Sequence, residues 1–201
     1  MTGDGLRVSR RAALSGLAGA AISSSARARI VPLPDAPPSL LAIGAQFVEI
    51  RPLVEPPPLK LERIDGKTVA LNGFRGKVVL VSFWATWCPP CRRELPMLER
   101  LGRIADPRDL EIVPVSIDRA GKPAVAAFLK SAGVTQLRPF LDPEGRIARR
   151  AGDDASAPFV LYGMPISYVI DARGRVAGYV AGETDWTSAE ALALLKFYRD
   201  V

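Results

Sequence analysis

The sequence predicts an α/β protein: a central mixed sheet flanked by helices on both faces, with an extra N-terminal β-hairpin. Three observations carry this. Continuous apolar runs of strand length alternate with stretches of helical periodicity from about residue 77 to residue 133. Two alternating runs joined by a short turn come before them. A second such pair comes after them, ahead of a closing amphipathic stretch. Strand and helix in alternation build a layered sheet with parallel neighbours, and hairpins add antiparallel strands.

The elements follow in order. "LKLER-IDG-KTVAL" reads as a hairpin turning at Asp65-Gly66. "KVVLVSFW" (Lys77 to Trp84) is apolar almost throughout, as a strand covered on both faces must be. Residues 91–104 are predicted helical, because Leu95, Leu98, Leu101 and Ile104 recur at helical spacing; Pro96 inside that stretch predicts a kink. "LEIVPVSID" (Leu110 to Asp118) is a second buried strand. "PAVAAFLKSAG" is a helix closed by Gly133. "ISYVID-ARG-RVAGYV" (Ile166 to Val180) is the second hairpin. "TSAEALALLKFY" is the closing helix, with Thr187 or Ser188 as N-cap and Glu190 in its first turn.

Ahead of this body lie two segments of different composition. Residues 1–28 read as an export signal. "SRRAAL" opens an apolar run of about 11 residues from Ala12 to Ile22, and small residues at Ala26 and Ala28 follow. The run is too short for a bilayer span, which takes about 20 residues. Arg10-Arg11 before a weakly apolar segment is Tat-like, although Ala13 stands where a large apolar residue is usual. Left uncleaved, the segment would act as an anchor. Residues 29–58 contain eight prolines from Pro32 to Pro58 and read as an extended linker, so the folded domain is placed at 59–201.

Composition narrows the chemistry. With 48% apolar and 24% charged residues the chain can build a core. The net charge is +6, but the first 28 residues hold four arginines against one aspartate, and the remaining +3 is spread along the chain. Arg92-Arg93 and Arg149-Arg150 are pairs without interleaved aromatics, so no nucleic-acid partner is expected. There is no histidine, which removes Ser-His and Cys-His catalysis and imidazole-ligated metals.

The two cysteines are Cys88 and Cys91, in "FWATWCPPCRRELP". They sit where a strand passes into a helix, with Pro89 and Pro90 suiting the first turn, whose N–H groups lack partners anyway. Orphan donors and the helix dipole favour a thiolate at Cys88, which is expected to be exposed, with Cys91 buried one turn along. A structural zinc would need two further ligands. A structural bridge gains most across a long loop, and this one closes only four residues. Thiol–disulfide exchange fits the placement better.

These residues carry a resemblance. "FWATWCPPCRRELP", "FRGKVVLVSFW", "YGMPISYVID" and "DWTSAEALALL" together resemble the exported thioredoxin-like oxidoreductases of the TlpA/ResA/DsbE (CcmG) family, over residues 59–201. The resemblance implies a thioredoxin-like fold and a thiol–disulfide oxidoreductase, probing a protein disulfide with Cys88 and resolving with Cys91. It implies a cis proline at Pro165 facing the disulfide; X–Pro is the bond where cis costs least. It implies a substrate groove formed by Trp84, Trp87, Pro89, Pro90, Gly163 and Met164. Cytosolic thioredoxins carry a buried aspartate where this chain has Ser82. The nearest acid is Glu94, three residues after Cys91 and on the same helix face, and ResA-like relatives use a glutamate there. The implied protein is a periplasmic monomer with no metal and no cofactor beyond its redox-active disulfide. Its partners would be a disulfide-bearing substrate protein, of cytochrome c maturation or cytochrome oxidase copper-site assembly, and a membrane electron donor of the DsbD/CcdA type. The same motif also serves disulfide-forming oxidases, with the redox potential deciding the direction. A non-catalytic binding module using the groove around Trp87 and Met164 is the reading from another class.

Overall fold

A computed structural model describes residues 37, 41–42, 45–153 and 157–201. The expected export signal at 1–28 lies outside the described residues. In chain order the strands are β1 (Leu41–Ala42), β2 (Ala45–Val54), β3 (Lys60–Arg63), β4 (Thr68–Ala70), β5 (Val78–Trp84), β6 (Leu110–Ser116), β7 (Phe140–Leu141), β8 (Ala148–Arg150), β9 (Phe159–Leu161), β10 (Ile166–Ile170) and β11 (Val176–Ala181). The helices are α1 (Pro89–Ile104), α2 (Gly121–Ser131) and α3 (Ala189–Asp200). Among the described residues no helix is long and apolar enough to cross a membrane.

Nine strands form the main sheet in the order β1-β2-β11-β10-β5-β6-β7-β3-β4. β5–β6 and β6–β7 are parallel, because α1 and α2 carry the chain back across the sheet between them. The other pairings are antiparallel, including the expected hairpins β3–β4 and β10–β11. Every residue of β5 is buried, the outcome its unbroken apolar run requires of a central strand.

Alternate residues of β5 divide two cores. Val78, Leu80 and Trp84 pack with Leu95, Leu98 and Leu101 of α1, Val125 of α2, and Leu194, Leu195, Phe197 and Tyr198 of α3. Val79, Val81 and Phe83 pack on the other face with Val113, Val115, Phe140, Phe159 and Tyr168. The sheet is flanked by helices as expected, but among the described residues they lie on one face, not both. All three helices contribute to the first core, and the second is closed by the small parallel pair β8–β9 and the loops beside it. Ile147, Ala148, Phe159 and Leu161 supply its apolar cover.

The linker boundary also moves. Ala45–Val54, inside the Pro-rich segment 29–58, is a ten-residue strand paired with β11 through Phe47↔Val180, Glu49↔Gly178 and Val54↔Val176. Its fit on β11 is close: a Cβ at Gly178 would overlap the Phe47 ring and the Val48 carbonyl oxygen. Tyr198 of α3 donates to Glu49 at 3.0 Å and its ring lies 5.7 Å from that of Phe47, fastening β2 to the domain. Proline is tolerated in β2 because the strand needs one ladder partner only at each of its positions.

The helix signals act locally as the residues suggest. Ser188 caps α3 by accepting from Ala191 N–H at 3.2 Å. Gly133, two residues past α2, takes the left-handed φ of 67°. α1 continues through Pro96, which lies on its exposed side.

Candidate active site

The dithiol is built at the C-terminal end of β5. The strand ends at Trp84, and the turn Ala85–Trp87 is tied down from the loop just after β6. The Asp118 carboxylate accepts from Thr86 N–H at 3.0 Å, from the Thr86 hydroxyl at 2.7 Å and from the Ser116 hydroxyl at 2.7 Å. Cys88 then occupies the N-cap of α1 in extended conformation. Pro89 and Pro90 have no N–H, so the first amide the helix offers belongs to Cys91. That amide donates to Cys88 Sγ at 3.3 Å. The helix terminus thus presents its first donor to the sulfur on which negative charge must develop.

Cys88 and Cys91 form a disulfide with an S–S distance of 2.06 Å. The two are almost equally covered, at 3% and 1% relative exposure, so the expectation of an exposed Cys88 is corrected. In the disulfide the Cys88 sulfur is folded back over the first turn instead of projecting into solvent. What distinguishes the two sulfurs is the amide at Cys88, not their access to water.

The second wall comes from β10. Ile166 pairs with Phe83, so the preceding Pro165 lies level with the end of β5. The Met164–Pro165 peptide is cis, Pro165 is buried, and its carbonyl accepts from Gly182 N–H at 2.8 Å. Gly163 and Met164 are half-buried, Pro89 is exposed and Pro90 half-buried, and Trp87 is 56% exposed. Trp87, Pro89 and Pro90 adjoin the dithiol along the chain, and Gly163 and Met164 lead into Pro165 at the start of β10. Trp84 does not join them: it is 1% exposed and packs on Phe128 in the core, with ring centroids 5.7 Å apart. Its place on a strand with every residue buried excludes it from a surface groove. Beside Trp87 opens a groove of about 930 Å³, whose walls include Thr86, Ile117, Arg119, Arg149 and Arg150. Tyr162, 58% exposed and stacked on Tyr179 at 5.1 Å, stands near Gly163. Sequence reasoning did not single out the groove arginines or Tyr162; Tyr162 opens the stretch YGMPISYVID, but nothing in that stretch marks its ring as a site residue.

Beneath the dithiol Ser82 is fully buried, opposite Ser167 in the β5–β10 register, and its hydroxyl has no partner among the described residues. The buried acid is Glu94, at 1% exposure one turn along α1 from Cys91. Its Oε1 accepts from the Trp186 indole N–H at 3.1 Å and from Thr184 N–H at 3.2 Å. Burial pushes the carboxyl up to about 8, against the two hydrogen bonds, which favour the charged form; nearby Glu183 adds to the rise. Trp186 and Thr184 were not legible as site residues, since 92 and 90 positions separate them from Glu94. Among the described residues no three acidic or cysteine side chains are grouped to hold a metal ion.

A redox-active pair at a helix N-terminus, opposite a cis-proline strand end on a mixed sheet, defines a thiol–disulfide oxidoreductase of thioredoxin-like fold. The profile of the Redoxin family matches residues 49–195, and the chain belongs to that family. A protein of Bacillus thuringiensis subsp. konkukian (strain 97-27) named thiol-disulfide oxidoreductase ResA is 30% identical over 129 residues, covering 64% of this chain and 69% of the relative. Its namesake in Bacillus subtilis (strain 168) is 32% identical over 126 residues, covering 63% and 65%. A crystal structure from Chlorobium tepidum, provisionally described as a thiol:disulfide interchange protein DsbE, superposes with a TM-score of 0.57 at 25% identity, covering 71% of this chain and 96% of that one. The chain is thus an oxidoreductase of the ResA/DsbE type, acting on disulfide-bearing proteins.

Proposed function

We propose that this protein is an exported reductase of protein disulfides, working as a monomer in the periplasm, with Cys88 as nucleophile, Cys91 as resolving thiol and Glu94 as the group that takes the Cys91 proton. The observation that carries this is a cysteine pair at a helix N-terminus with a buried carboxyl one helical turn away, which burial pushes up to about 8.

In the reduced protein the Cys88 thiolate attacks one sulfur of a substrate disulfide. The Cys88–substrate bond forms, the substrate S–S bond breaks, and the departing sulfur leaves with the electron pair and is protonated. Cys91 is buried, and a thiolate is disfavoured there, so its proton needs an acceptor close by. The chain has no histidine and Ser82 cannot serve; the Glu94 carboxylate takes the proton. Cys91 then attacks Cys88 Sγ, closes the disulfide and expels the second substrate sulfur, to which the proton is passed. The substrate gains two electrons and two protons; the enzyme supplies both electrons and the Cys91 proton, and solvent returns the proton that Cys88 released on ionising. A membrane dithiol donor of the DsbD/CcdA type restores the reduced form. Pro165 shields the sulfurs without presenting an N–H. The substrate strand lies against Trp87, Met164 and the adjoining groove.

Export is supported by the Arg10-Arg11 segment and its short apolar run. The name ResA carried by similar proteins supports a reductase of this type. The substrates we favour are the oxidised cysteines of apocytochrome c before haem attachment, or those of a copper-delivery system for cytochrome oxidase. Trapping tests this: Cys91→Ser, expressed in cells, should accumulate a mixed disulfide through Cys88, and mass spectrometry of the captured chain identifies the substrate. Absence of any captured chain, with Cys91→Ser folded and exported, contradicts the proposal.

A further inference from the structure

Glu94 is held by a segment remote in sequence. Gly182–Ser188 links β11 to α3 and reaches α1 at Glu94, where two of its N–H groups meet on one carboxyl oxygen. The Trp186 indole reaches Glu94 Oε1 at 3.1 Å and the Thr184 amide reaches the same atom at 3.2 Å. The segment is fastened at both sides of this contact. Gly182 N–H donates to Pro165 O at 2.8 Å, and the Arg93 guanidinium holds the Glu183 carboxylate through bonds of 2.6 to 3.2 Å. Trp186 is 0% exposed. Water does not reach its indole N–H, so Glu94 is the partner that keeps this donor from being buried unpaired.

Neither donor changes protonation in the range where the thiols act. Both bonds therefore persist whether Glu94 is charged or neutral. They also occupy the two lone pairs of Oε1. A neutral Glu94 must then carry its proton on Oε2, and the carboxyl does not turn over as it titrates.

We propose that Trp186 is a positioning residue for proton transfer at the Cys88–Cys91 pair: with Thr184 it pins Glu94 Oε1, so that Oε2 alone exchanges the proton with Cys91. This rests on the reading of Glu94 as proton acceptor. In the step, the Cys91 S–H bond breaks, its electron pair stays on sulfur, and an O–H bond forms at Oε2.

The groups around Glu94 bound the interpretation. From α1 come Cys88 and Cys91, which titrate only when reduced. From the 182–188 segment come Glu183, paired with Arg93, and Asp185, whose carboxylate accepts from Thr187 N–H at 2.9 Å and its hydroxyl at 2.6 Å. In the same core as Cys88 and Cys91, α3 contributes Ala191, Leu194 and Leu195, and the buried polar residues of β5 and β10 are Ser82 and Ser167; none of these side chains changes charge. Glu183 is the one charged neighbour that acts on Glu94, and it disfavours ionisation. Against it, the indole bond favours the carboxylate. Losing that bond raises the proton affinity of Glu94.

Two measurements test this. In the full-length oxidised protein, where the thiols are silent, the Trp186 indole N–H resonance should titrate with a midpoint near 8 and become flat in Glu94→Gln. A flat Trp186 resonance from pH 5 to 10 in the wild type overturns the proposal, and this readout needs no Trp186 variant to fold. In the second measurement, Trp186→Phe keeps an aromatic ring and removes the donor. The rising limb of its exchange rate against pH should move about one pH unit to the alkaline side, a roughly tenfold loss at pH 7 that disappears above the limb. A loss equal at every pH is the mark of a merely structural role and overturns the proposal. If Glu94→Gln exchanges at the wild-type rate, the reading of Glu94 itself fails. If Glu94→Gln is slowed while Trp186→Phe keeps the wild-type midpoint, only the role of Trp186 fails.

Discussion

Replacing Glu94 by Gln should remove most of the pH dependence of folding stability between pH 5 and 9. The carboxyl ordinarily titrates at 4.5 and is pushed up to about 8 by burial in the native state. The folded protein therefore binds this proton more tightly than the unfolded chain. Its contribution is fully present below pH 4.5 and is lost as pH rises through the interval to 8. At 1.36 kcal/mol for each tenfold change, linkage gives a decline of about 4 kcal/mol between pH 5 and 9. That is a large share of the 5–15 kcal/mol typical of a domain. The chain suits the measurement, because it has no histidine and its two cysteines are locked in the disulfide. Comparison with Glu94→Gln cancels the contribution of every titrating group the two proteins share. Urea unfolding of the oxidised protein at a series of pH values reads the slope directly, and Gln accepts the same two N–H bonds without titrating. If wild type and Glu94→Gln show the same slope, Glu94 is not the buried, uplifted acid described here.

Three further expectations stand on separate observations. In the reduced protein Cys88 should be alkylated by iodoacetamide before Cys91, with a thiol titrating below the free value of about 8.5, because the Cys91 amide and the helix terminus face it; mass spectrometry of the first adduct decides, and Cys91 reacting first reverses the assignment. Gly178→Ala should cost about 1–3 kcal/mol and free β2, since a Cβ there meets Phe47 and the Val48 carbonyl; unchanged thermal midpoint and unchanged amide exchange across 45–54 would count against the close fit. Changing Arg10 and Arg11 to Lys should hold the protein in the cytoplasm, and normal levels of the variant in the periplasm would point to the general secretory route.

Much of the site was legible because its parts are contiguous. The run Val78–Trp84, the Cys88–Cys91 spacing and the position of Glu94 three residues on are facts of one strand and one helix, and local periodicity places them on the right faces. The cis bond before Pro165 came from resemblance, as proline makes cis affordable without requiring it. What escaped depended on distant partners. Pro52 and Pro56–Pro58 give the 29–58 stretch the composition of a linker, and only the bare backbone of Gly178, over a hundred residues later, reveals a strand at Ala45–Val54. Trp186 looked like a residue leading into a helix; its indole N–H finds Glu94 only after α3 has docked. The family resemblance placed Trp84 in the groove, but it belongs to a strand buried on both faces and lies in the core. The second face of the sheet was read as helical because alternation of strand and helix usually continues. Here short strands β8 and β9, too brief for a periodic signal, do the covering.

The central claim is that the Cys88–Cys91 pair exchanges with protein disulfides through Cys88. It is tested most directly by mixing the reduced protein with a disulfide-bearing substrate protein and following thiol transfer by acid quench and mass spectrometry. The account predicts that wild type reduces one substrate disulfide per molecule, that Cys91→Ser halts at a mixed disulfide through Cys88, and that Cys88→Ser is inert. Reduction by Cys88→Ser at the wild-type rate, or a wild-type protein that transfers no electrons to any disulfide, would contradict it.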